Sequence, residues 1–128
     1  MAGEAFAEFA RRPGPLTLSM LRAGSTLVAE RKHKPVGFAV AEFSHDRVAH
    51  LSAIAVEYQH RGVGVGSALL LAAESLARRH GSQRLELCTA DSNLEALDLF
   101  LKRGFRIEKR LAHFYGRGQA ACVLTHDL

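Results

Sequence analysis

A strand, a glycine-rich turn and a helix follow one another between residues 51 and 80, and this stretch limits the fold more than any other. Residues 51–56 are a short apolar run of strand character. Gly62, Gly64 and Gly66 then alternate with Val63 and Val65 between Arg61 and Ser67. Residues 67–80 carry Leu69, Leu70, Ala72, Ala73, Leu76 and Ala77 at helical spacing, and Arg78, Arg79 and His80 complement the negative end of a helix that Gly81 stops. The first amides of a helix have no internal partner, and its dipole favours negative charge there. Glycine lets a ligand approach the backbone without a Cβ in the way. Arg61 adds a fixed positive charge at the mouth. The stretch from Arg61 through Gly62, Val63, Gly64, Val65 and Gly66 to Ser67 therefore predicts a phosphate-bearing ligand held mainly by main-chain donors.

Two common phosphate loops fit poorly. A Walker A loop needs Lys before its Ser or Thr, and Ser67 directly follows Gly66. A dinucleotide fingerprint needs a third small residue that neither Gly62 nor Gly64 finds at the right distance, although Glu86 stands near where a ribose-binding acid would lie.

The chain of 128 residues suffices for one domain with a core, and 48% apolar residues argue against disorder. No apolar run reaches membrane-spanning length and the start lacks a signal-peptide layout, so a cytoplasmic location is the expectation. Cys88 and Cys122 lie in strand-like segments and read as small buried hydrophobes. No zinc-type spacing joins the seven His and two Cys, so no metal is expected. The net charge of +4 suits a polyanionic ligand, and its scatter gives no reason to expect nucleic acid.

Residues 4–12 read as an amphipathic helix with Phe6, Phe9 and Ala10 on one stripe, ended by Pro13-Gly14-Pro15. Residues 16–23 predict another helical turn or two, closed by Gly24. Strands are expected at 25–31, 36–43 and 48–56, the first two forming a hairpin. After the helix at 67–80 come a strand at 84–89, a helix at 93–103 with Leu94, Leu97 and Leu101 facing inward, and closing strands at 105–111 and 120–124. The order predicts an α/β fold with a mixed sheet in a single domain, residues 1–128.

Two motifs in this order carry a family resemblance. The spacing Arg61-x-x-Gly64-x-Gly66 resembles the pyrophosphate loop of the GNAT superfamily of N-acetyltransferases. Residues 93–105, with Asn93, Ala96, Phe100 and the closing Gly104-Phe105, resemble that family's second signature. The pair Phe114-Tyr115 before an apolar strand is similar to the tail of ribosomal-protein alanine N-acetyltransferases. The resemblance covers about residues 25–128 and implies a mostly antiparallel central sheet, flanked by helices, with one splayed parallel pair. It also implies direct acetyl transfer from acetyl-CoA to a primary amine: a peptide N-terminus, a lysine or a small amine. Main-chain groups of Ile54, Ala55 and Val56 would pair with the pantetheine arm, and residues 61–67 would hold the pyrophosphate. Asn93 would reach the arm, or else cap its own helix.

The resemblance puts His50 where histone-type members carry a basic Glu, and a histidine suits proton transfer near neutrality; the position also reads as a strand-start histidine facing solvent. Glu86, between Leu85 and Leu87, reads either as a cleft carboxylate acting as base or as part of a polar sheet face. Many relatives carry Tyr, which protonates the departing thiolate, where this chain has Phe100. Tyr115 or water would then serve, or the thiolate leaves unaided. The family opens with a strand and then one or two helices, whereas this chain begins at helix-like Glu4. The resemblance therefore implies that the first strand is missing, that residues 1–24 form a shortened helical acceptor side, and that a second copy covers the open sheet edge in a homodimer. A non-catalytic acyl-CoA-binding module is the alternative that Phe100 keeps open.

Overall fold

The computed structural model describes residues 16–20, 25–112 and 118–128. Seven strands form one sheet: β1 (Leu16–Met20), β2 (Thr26–Arg31), β3 (Lys34–Phe43), β4 (Val48–Val56), β5 (Arg84–Ala90), β6 (Arg106–Leu111) and β7 (Ala121–Asp127). Their order across the sheet is β1-β2-β3-β4-β5-β7-β6. All neighbours run antiparallel except β4 and β5. Helix α1 (Val65–Arg79) joins β4 to β5, and α2 (Leu94–Lys102) joins β5 to β6.

Residue alternation decides which face each side chain takes. Leu27 and Ala29 of β2, Ala39 of β3, Ala49 and Leu51 of β4, Leu85 and Leu87 of β5 and Leu124 of β7 form one buried cluster with Leu69, Leu70 and Ala73 of α1 and Phe100 of α2. Both helices therefore pack on the same sheet face. Burial of Leu69, Leu70, Leu85 and Leu124 is essentially complete, and each contributes about 1.5–3 kcal/mol relative to exposure. Gly37 brings β3 and β4 against the start of α1: a Cβ there would stand 2.9 Å from the Ala55 carbonyl oxygen and 3.1 Å from Leu69 Cδ1.

Four expectations are corrected. Residues 16–20 are a strand, not a helical turn: Leu16, Leu18 and Met20 alternate, and the segment pairs with β2 from Leu16↔Arg31 to Met20↔Leu27. The sheet edge beside β2, expected to be vacant, is filled by β1. Helix α2 turns Phe100 and Leu97 to the core, whereas Leu94 and Leu101 are 73% and 47% exposed. Cys122 is buried as expected, but Cys88 is exposed. The helix expected at 4–12 and the pair Phe114-Tyr115 lie outside the described residues.

Candidate active site

The site forms where the two parallel strands part. β4 and β5 pair over only four rungs, Val48↔Arg84 to Leu51↔Leu87. Beyond them β4 runs on to Val56, held on its other side by Val40↔Ala53 to Gly37↔Val56, while β5 pairs with β7. Ala53 to Val56 thus present a backbone edge with no strand against it on the β5 side. An extended chain with amide groups can pair with such an edge as a strand would.

A cleft of about 500 Å³ opens here. Ile54, Ala55 and Val56 form its β4 wall, Arg61, Gly62, Gly64, Gly66 and Ser67 its loop wall, and α2 supplies Asn93, Ala96, Leu99 and Phe100. The glycines act differently from one another. Gly62 (φ 75°) and Gly64 (φ 93°) turn the backbone through the left-handed region, and Gly64 is the N-cap of α1. Gly66 makes room for α2, since a Cβ there would lie 3.2 Å from Leu99 Cδ2. Val65 is buried in the core and Val63 packs against it, so of these two expected ligand residues only the main chain is available. The first helical bond is donated by the Ala68 amide to the Gly64 carbonyl at 3.0 Å, leaving the amides of residues 64–67 without helical partners.

Arg61 is held in place by its neighbours. Its Nε donates to the Val56 carbonyl at 3.0 Å, Nη1 lies 3.6 Å from Glu95 Oε1 on α2, and the guanidinium sits 5.5 Å over the Tyr58 ring. The Val56 carbonyl is therefore already engaged by a side chain. Asn93 caps α2 by accepting from the Ala96 amide at 3.2 Å, yet it also lines the cleft, so both readings of this residue meet in one position. Sequence reasoning missed Glu95, Asp98, Leu99 and Lys102 on the cleft wall and took Ala96 only as part of the second signature. Helical spacing from Asn93 marks Ala96 and Phe100 as its face and would have drawn attention to them.

On the sheet face away from the helices, His50 and Glu86 share a rung of the parallel pair. His50 Nδ1 lies 3.5 Å from Glu86 Oε1, one rung before the strands part. The register carries this polar row on to Glu42 of β3 and Thr125 of β7. Cys88, two residues beyond Glu86, has its thiol pushed above the ordinary range by partial burial and by the Glu86 carboxylate, with Lys109 opposing. Tyr115 lies outside the described residues, so two of the three expected catalytic groups are brought together. No group of three or more metal-ligating side chains occurs among the described residues. No described helix is long and apolar enough to cross a membrane.

A model of the acetyltransferase (GNAT) family matches residues 3–105. An N-alpha-acetyltransferase of Sulfurisphaera tokodaii is 34% identical over 80 residues, covering 62% of this chain and 48% of that protein. The chain thus spans about half the length of this curated relative. Among solved structures, Ard1 from Thermoplasma volcanium superposes with a TM-score of 0.77 at 30% identity, over 81% of this chain and 70% of that one. The NatC complex bound to Gag peptide and CoA gives a TM-score of 0.74 at 27% identity, over 80% and 70%.

Proposed function

Because this chain belongs to the acetyltransferase (GNAT) family, we propose that it moves an acetyl group from acetyl-CoA to a primary amine by direct attack in a ternary complex. One observation carries the reading: the gap between β4 and β5 opens into the same cleft as Arg61 and the start of α1, whose first amides have no helical partner. A thin chain ending in a pyrophosphate matches both halves of that cleft. The β4 edge at Ile54 and Ala55 pairs with the amides of the pantetheine arm. The amides of residues 64–67, with Gly62 and Arg61 beside them, take the pyrophosphate.

His50 is the general base of this proposal, and Glu86, 3.5 Å from its Nδ1, holds its ring. The amine nitrogen attacks the thioester carbonyl carbon, the carbon–sulfur bond breaks, the electron pair leaves on the CoA sulfur, and the amine proton passes to His50. Phe100 lines the cleft and has no hydroxyl to protonate that sulfur, so the proton comes from Tyr115 or water, or the thiolate leaves unaided. The acceptor is a peptide N-terminus, a lysine or a small amine. The likeness to an N-alpha-acetyltransferase and to a complex solved with peptide and CoA supports the first.

The test is release of free CoA thiol when the protein is mixed with acetyl-CoA and a broad panel of amines, alongside melting curves with acetyl-CoA, CoA and NAD. Turnover with at least one amine is expected. Stabilisation by acetyl-CoA without turnover on any amine would make the chain a non-catalytic acyl-CoA-binding module. Larger stabilisation by NAD would overturn the ligand itself.

A further inference from the structure

Next to the polar row, the sheet face away from the helices is apolar. Two rungs run across β2, β3 and β4: Thr26↔Val40↔Ala53 and Val28↔Phe38↔Ala55. Phe38 is 42% exposed and Ala55 is exposed beside it. A groove of about 540 Å³ lies along Val28, Phe38 and Ala55. Ala55 and Val56 belong to both this groove and the acetyl-CoA cleft, so the two are continuous across β4.

Resting on the function above, we infer that this groove takes the body of the acceptor, and that the acceptor is a peptide N-terminus with apolar side chains at its third to sixth residues. The argument is one of reach. His50 lies three residues before Ala53 and five before Ala55 along β4. At about 3.3 Å per strand residue, the Ala53 rung lies roughly 10 Å from His50, and the Ala55 rung, where the groove lies, roughly 17 Å away. An extended peptide advances by about the same step per residue. With its amine at His50, its third and fourth residues lie at the rung of Val40 and Ala53, and its fifth and sixth at the rung of Phe38 and Ala55. The charges agree: Glu42 and Glu86 flank His50 in the row, attracting an ammonium group and opposing acidic side chains. A second copy of the chain is a poorer fit. Five apolar side chains in two rungs fall far short of the roughly 800 Å² per partner that stable interfaces bury.

Steady-state kinetics on hexapeptides with two fixed first residues, Gly-Gly-Leu-Leu-Leu-Leu, Gly-Gly-Gly-Gly-Gly-Gly and Gly-Gly-Asp-Asp-Asp-Asp, tests this. The leucine peptide should exceed the glycine peptide in kcat/KM by about tenfold or more, through KM, with the aspartate peptide poorest. Phe38→Ser should collapse that ratio several-fold. Val28→Thr keeps the shape of the side chain and should lower the ratio as well, so a folding defect in the first variant does not hide the result. Equal rates across the three peptides, or an unchanged ratio in Val28→Thr, would overturn the proposal. A lowered melting temperature for Val28→Thr with its ratio intact would assign the groove to packing by another part of the chain, which also overturns it. Turnover of small amines but of no peptide would sink this inference and leave the acetyl transfer standing. Turnover of no amine at all would sink both.

Discussion

Replacing Gly37 with alanine tests the join on which the cleft depends. The added Cβ would lie 2.9 Å from the Ala55 carbonyl oxygen, 3.1 Å from Leu69 Cδ1 and 3.3 Å from Val65 Cγ1. The first contact decides the sign, because that oxygen belongs to a strand pinned by the β3–β4 ladder and cannot rotate away as a side chain would. Overpacking of this kind costs about 1–3 kcal/mol, and the smaller entropy of the unfolded chain returns about 0.4–1 kcal/mol. The net loss is about 1–2 kcal/mol. For a chain of 128 residues this lowers the melting temperature by roughly 3–10 °C. The strain does not stay local. Ala55 lines the cleft, and Val65 opens the helix whose first amides are proposed to hold the pyrophosphate. Affinity for acetyl-CoA should therefore weaken several-fold in the same variant. Thermal melts with and without acetyl-CoA measure both effects. Gly62→Ala serves as contrast: nothing lies within 4 Å of its Cβ, so it carries only the left-handed strain of φ 75°, about 1 kcal/mol. A Gly37→Ala protein that melts within a degree of the parent and binds acetyl-CoA equally would refute the close approach of β3, β4 and α1.

Three further outcomes follow from the site. His50→Gln and Glu86→Gln should each lower kcat, the first by roughly 10²-fold or more; a kcat unchanged in His50→Gln would remove the histidine from proton transfer. Arg61→Gln should raise the Kd for CoA by roughly tenfold at low salt and by less at high salt, whereas Glu95→Gln, which frees the guanidinium, should leave binding equal or tighter, as calorimetry would read. The Cys88 thiol, held above its ordinary value of 9.0 by burial and the Glu86 carboxylate, should react with iodoacetamide at pH 8 more slowly than free cysteine, and Glu86→Gln should speed it. Because the folded state favours the protonated thiol, this group's share of stability is complete below its ordinary value and is lost as pH rises through the raised one.

The elements that depend on near neighbours were legible in the sequence. The apolar stripe of α1 and the glycines that bound it specify that helix without help from the rest of the chain. Leu16–Met20 was misread because a five-residue stretch with Leu16, Leu18 and Met20 satisfies an alternating pattern, while Leu21 and Gly24 after it satisfy a helical one. Only the partner strand β2 decides between them. Of the site, the loop from Arg61 to Ser67 was legible because glycines and charge stand together in sequence. The direction of Val63 and Val65 into the core was not, since alternation through a turn lacks a fixed face. The meeting of His50 with Glu86 spans 36 residues and depends on a parallel register that a sequence does not display. Glu95, Asp98 and Lys102 reach the cleft only because α2 lies across its mouth, a tertiary fact.

The brevity of the pairing between β4 and β5 has a consequence for handling the protein. Past Leu51 and Leu87 each of these strands turns bare peptide groups toward the other, in the middle of a sheet rather than at its rim. Unsatisfied ladder positions accept any extended polypeptide that arrives, another molecule's unfolded segment included. Without the proposed co-substrate, the protein should be at its stickiest, clouding on storage. Occupied, it should keep clear, with CoA acting as a chaperone for its own binding slot.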